Sequence, residues 1–124
     1  FQMTDSMGQG EYGAALLKLR QLLKMQQEPI SILGAVGAHF RRISAARTLM
    51  DNGRSSGELM KLYGLSDYPA RKTMDMAKRF SGEFCRKASE LVMETDIKMK
   101  TSVDSPQRLL ERLILGLAQE ARNG

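Results

Sequence analysis

Apolar residues recur along this chain at three- and four-residue spacing, in blocks separated by Gly, Pro, Ser and Asn, and no stretch keeps the two-residue period of a strand. A chain patterned this way buries its apolar stripes by packing helix on helix. From Glu11 to Gln26, residues Tyr12, Ala15, Leu16, Leu19, Leu22 and Leu23 share one arc of a helical wheel, with Lys18, Gln21 and Lys24 opposite. Pro29 suits a first helical position, where its missing N–H costs nothing, and opens a long helix to about Asp51. Its inward residues are Ile32, Leu33, Val36, Phe40, Ile43 and Met50, and Asn52-Gly53 supplies the stop. Ser55 and Glu58 have capping-box spacing ahead of a short helix that ends at Tyr63-Gly64. Ser66-Asp67-Tyr68-Pro69 starts a helix through about Phe80, with Ala70, Met74, Ala77 and Phe80 inward. Ser81 caps the next helix, which turns Phe84, Ala88, Leu91, Val92, Thr95 and Met99 inward. Ser105-Pro106 opens the last, carrying Leu109, Leu110, Leu113, Ile114 and Leu117. The expectation is all-α: a compact bundle of about five to seven helices. Residues 1–10 read as a short helical or extended junction from a preceding domain, closed by Gly8 and Gly10, and residues 11–124 as the helical domain.

At 124 residues the chain suits a single core, and nine methionines with no tryptophan make that core soft and aliphatic. Cys85 is the one cysteine and His39 the one histidine, so an internal disulfide and a four-ligand structural zinc site are both excluded. Lone-cysteine usage fits a reducing compartment, and without an apolar run of about 18 residues or a signal-peptide pattern the expected location is cytoplasmic, with no membrane contact. The start at Phe1, without an initiator methionine, reads as an excision from a longer protein.

The net charge of +5 is concentrated. Residues 1–36 and 101–124 each balance three basic against three acidic side chains, whereas residues 37–100 hold thirteen basic and eight acidic. Such a middle suits either a solvated helical face or a footprint for nucleic acid or an acidic partner.

Chemistry is sparse. Nucleophilic catalysis would pair Cys85 or a serine with a base, and His39, at the border of an apolar arc, reads as a partly buried structural histidine. Cys85 has the wheel position of a small core hydrophobe. Neither G-x-x-x-x-G-K-[ST] nor G-x-G-x-x-G occurs, and the acidic residues have no metal-ligand spacing, so the expectation is no catalytic site, no cofactor and no metal.

Three features remain. The stretch Glu58 to Ser66 has the layout of a helix-turn-helix, in which the basic helix 68–80 would offer Arg71, Lys72, Lys78 and Arg79 to DNA. Against that, the first turn presents Asp67, Tyr68, Pro69 and Ala70, which are poor base readers. Arg47 falls within the long helix's apolar arc, where a guanidinium needs a partner or a route to water, and Asp96 is the candidate carboxylate for an ion pair. Leu17, Met93, Ile97 and Leu115 project from otherwise polar faces, as residues of an intermolecular contact surface do.

In order, Ala15-Leu16-x-x-Leu19-x-x-Leu22-Leu23, Glu28-Pro29-Ile30-x-Ile32-Leu33 and Phe40-Arg41 resemble the C-terminal domain of the delta subunit of bacterial DNA polymerase III. Gly64-Leu65 followed by Tyr68, Ala77-x-x-Phe80-Ser81, Thr95-Asp96-x-x-x-Lys100 and Leu109-Leu110-Glu111-Arg112-Leu113-Ile114 are similar to its later helices. The chain departs from that pattern at Thr101-Ser102, where members often carry glycine, so the resemblance does not fix the end of that helix. The family implies a collar domain of the clamp loader, which places the sliding clamp on primed DNA in replication. Its implied partners are the gamma or tau and delta-prime subunits, with the sliding clamp bound through preceding domains and DNA reached, if at all, indirectly. It also implies no ATPase and no polymerase site in this segment.

Overall fold

The computed structural model describes residues 2–123. All regular structure among them is helical, in seven elements: α1 (Gln2–Gly8), α2 (Tyr12–Lys24), α3 (Pro29–Asp51), α4 (Ser56–Tyr63), α5 (Asp67–Ala77), α6 (Gly82–Thr101) and α7 (Pro106–Asn123). This is the expected all-α bundle. The long α3 is its axis, touching α1, α4, α5, α6 and α7, while α6 packs on α7, α7 on α2, and α2 on α1.

Helix ends follow backbone chemistry. Gly53 and Gly64 take left-handed conformations (φ 68° and 64°), letting the N–H of Arg54 reach the Leu49 carbonyl and that of Leu65 reach Met60. α2 ends the same way with a non-glycine residue: Gln26 sits at φ 66°, and the Gln27 N–H bonds the Leu22 carbonyl at 3.1 Å. At the other ends, the Phe84 N–H donates to Ser81 Oγ at 3.0 Å and the Arg108 N–H to Ser105 Oγ at 3.1 Å.

Two local expectations are corrected. The Ser55–Glu58 capping box does not form: the Ser55 side chain makes no cap bond, and Arg54 takes the Glu58 carboxylate at 2.6 Å. A guanidinium one residue from the cap outcompetes a backbone N–H for that carboxylate. α5 stops at Ala77 rather than Phe80, because the next three N–H groups (Lys78, Arg79, Phe80) bond three residues back in a tighter turn. Phe80 stays buried nonetheless, and with Phe40 and Phe84 forms an aromatic cluster joining α3, the α5–α6 turn and α6.

The core draws on every helix. Met3 and Met7 of α1 are 1% and 0% exposed, so this short helix contributes two full core residues. Two apolar residues at i and i+4 suffice for that inward face. Gly8 lets α1 come close: a Cβ there would lie 2.4 Å from Met76 Sδ and 2.9 Å from His39 Nε2. Met76, absent from the expected inward set of its helix, is also core.

Candidate functional site

The single histidine and the single cysteine both lie in the interior. Burial lowers the His39 pKa to about 4, so the ring is neutral at pH 7, and its Nε2 is buried with no hydrogen-bond partner among the described residues. It borders a 370 Å³ pocket with Asp5, Arg42, Tyr68 and Lys72 that contains no cysteine or serine. Cys85 is buried at the start of α6, and burial pushes its thiol up, opposite to the shift that activates a nucleophile. Among the described residues no group of three or more His, Cys, Asp or Glu could hold a metal ion, and no helix is long and apolar enough to cross a membrane.

The expected Arg47–Asp96 pair does not exist. Arg47 instead reaches along its own helix to Asp51 at 2.7 Å and across to the Ala77 carbonyl at the end of α5 at 3.4 Å. Asp96 pairs with Lys100 one turn on at 3.0 Å. The reason is register: α6 runs antiparallel to α3, so Asp96 lies beside Gly34 and Gly37 and not near Arg47. The ten residues from Gly37 to Arg47 span about 15 Å of helix. A helical wheel gives the direction of a side chain and nothing about its height.

The candidate DNA-contacting side chains of α5 and the turn after it are largely neutralised. Arg71 pairs with Asp67 (2.9 Å), Lys72 with Asp5 on α1 (3.0 Å) and Lys78 with Asp75 (3.2 Å), leaving Arg79 without a carboxylate among the described residues. A phosphate-binding face of that kind would begin with its cations occupied.

Leu17, Met93, Ile97 and Leu115 are exposed, at 61%, 60%, 54% and 55%. Leu17 and Leu115 belong to α2 and α7, which pack on each other, and Met93 and Ile97 to α6. Leu17 is one turn from Arg20 and Leu115 one turn from Glu111, and Arg20 bridges to Glu111 at 3.5 Å between α2 and α7. Met93 lines a groove of about 580 Å³ between α3 and α6, with Ile97 one turn further along the same helix. Its floor includes Leu33, Gly34, Gly37, Phe40 and Val92, and its rim carries Ile30, Arg41, Asp96 and Lys100.

The family described as DNA polymerase III delta subunit, C-terminal domain, matches residues 1–117. This chain belongs to that family. Among curated proteins the chain is 30% identical over 96 residues to DNA polymerase III subunit delta of Bacillus subtilis (strain 168), covering 77% of this chain and 28% of that protein. Among solved structures, the Bacillus subtilis DNA clamp loader delta protein superposes with a TM-score of 0.84 at 26% identity, covering 96% of this chain and 35% of that one. The chain thus spans about a third of the length of these delta relatives.

For a delta C-terminal domain, the helix-turn-helix alternative is not favoured. The sequence marks Met93 and Ile97 as outward apolar residues, which they are, but does not show the groove beside Met93, with Ile30, Gly34, Gly37 and Arg41. The signal was present: Gly34-x-x-Gly37 puts two residues without side chains on one face of a long helix, next to Arg41.

Proposed function

We propose that this domain is the collar element of a clamp-loader delta subunit: it docks against neighbouring gamma or tau and delta-prime subunits and so supports loading of the sliding clamp on primed DNA. One observation carries the reading, namely large apolar side chains left exposed on two pairs of packed helices, Leu17 of α2 and Leu115 of α7, and Ile30 of α3 with Met93 and Ile97 of α6. A wedge in a ring has two lateral neighbours and needs two such faces. The reading assigns the domain an assembly role and no reaction, in keeping with a buried histidine without a hydrogen-bond partner and a buried thiol among the described residues. The sliding clamp is reached through the remainder of the delta subunit, and the domain works in the cytoplasm with the replication machinery.

Mixing the full-length subunit with purified gamma or tau and delta-prime subunits on a sizing column tests this directly. A co-eluting complex that is lost when residues 1–124 are deleted supports the collar reading. Tight DNA binding by the subunit alone, falling steeply with salt and abolished by Arg71→Ala and Arg79→Ala, would instead favour the helix-turn-helix reading.

A further inference from the structure

The α3–α6 groove has more specific features than an exposed apolar patch. It runs from Ile30 and Lys100 at one end to Phe40 and Ser89 at the other. Ten residues of α3 cover about 15 Å, the length of roughly three helical turns. The two glycines act differently along it. A Cβ at Gly37 would stand 3.3 Å from Val92 Cγ1, so Gly37 draws the helices together, whereas a Cβ at Gly34 would meet nothing within 4 Å, so Gly34 leaves the groove open. Large apolar side chains flank the opening from both helices, Ile30 at 52% and Met93 at 60% exposed.

The charges on the rim are unequal. Asp96 is satisfied by Lys100, while Arg41 has no carboxylate partner among the described residues. A single unmatched guanidinium beside an apolar floor calls for a carboxylate adjoining an apolar side chain. Resting on the collar reading above, we propose that this groove receives a helix of a neighbouring clamp-loader subunit that presents a large apolar side chain one turn from an Asp or Glu. The apolar side chain fills the space over Gly34 between Ile30 and Met93, and the carboxylate pairs with Arg41. Docking an amphipathic helix into a groove between two helices is a common mode of protein recognition. Nucleic acid fits poorly, because Leu33, Phe40 and Val92 offer its phosphates nothing and Asp96 repels them. A second copy of this chain would bring its own Arg41 and Lys100 to a face that already has a positive excess.

The test uses the full-length subunit in a clamp loader reconstituted with gamma or tau and delta-prime subunits. Gly34→Leu fills the groove where nothing obstructs the new side chain, and Arg41→Glu reverses the rim charge. Each should weaken assembly by roughly tenfold or more, as loss of a central anchor does, with the thermal melt of the free subunit not lowered. A benzophenone amino acid at position 93 should cross-link to a neighbouring subunit within a helix carrying that apolar–acidic pair. If the parent subunit assembles and both variants assemble equally well, the groove proposal is overturned while the collar reading stands. If the parent does not assemble at all, both fall. A position-93 cross-link to DNA, or to a second copy of this subunit, overturns the proposal.

Discussion

Phe80 stacks on Phe84 with ring centroids 4.6 Å apart and planes 14° from parallel. Ser81, between them in sequence, accepts the Phe84 N–H at 3.0 Å, so Phe84 takes part in both the aromatic stack and the helix cap. Phe40 closes the cluster from α3 at 6.0 and 6.1 Å. The α5–α6 turn is therefore fixed by packing and by capping at the same point. Phe84→Ala should cost about 3–5 kcal/mol and Ser81→Ala about 1 kcal/mol. The double variant should depart from additivity by at least about 0.5 kcal/mol in urea titrations. Strict additivity would mean that cap and stack are independent.

Gln26 is a side-chain-bearing residue in a conformation that favours glycine. Gln26→Gly should raise stability by about 0.5–1 kcal/mol, while Gln26→Val should lower it. Denaturation midpoints of the two variants should move in opposite directions.

His39 gives the fold a defined acid sensitivity. Burial lowers its pKa from 6.5 to about 4, with Asp5 of α1 opposing and Arg42 of α3 and Lys72 of α5 reinforcing the shift. Between those two values the unfolded chain binds a proton that the folded chain does not, so stability falls as pH drops from about 6.5 toward 4. The loss attributable to His39 is about 3 kcal/mol at most. Melting curves of the parent and of His39→Gln across this range should differ in slope, the variant being flatter. Parallel slopes would place the titrating group elsewhere.

Arg47 and Asp96 separate two kinds of ion pair. Arg47 holds Asp51 and the last carbonyl of α5 from a partly buried position, and Arg47→Met should cost about 1–2 kcal/mol. Asp96–Lys100 is an exposed pair one turn apart, so Asp96→Asn should change stability by under about 0.5 kcal/mol. Thermal melts of the two variants check both values.

Most of the fold was legible because helix spacing and stop signals are local. Pro29, Gly53, Gly64, Ser81 and Pro106 punctuate the sequence where the helices begin and end. What was not legible depends on relationships between helices. Arg47 and Asp96 both point along apolar arcs, yet the antiparallel register of α3 and α6 puts them at different heights. Met3 and Met7 looked like part of a connector because a seven-residue helix has too few turns to show a period. The groove went unseen for a related reason: Gly34 and Gly37 matter only once α6 lies across them. The exposed Leu17, Met93, Ile97 and Leu115 were legible, since each contradicts its own polar surroundings.

Hydroxyl-radical footprinting of the full-length subunit, free and in the reconstituted clamp loader, tests the central claim most directly. Met93, Ile97, Leu17 and Leu115 should label readily in the free subunit and lose most of that labelling on assembly, in two groups if two neighbours cover them. Equal labelling of all four side chains in both states, in a complex shown to be intact, would contradict the account.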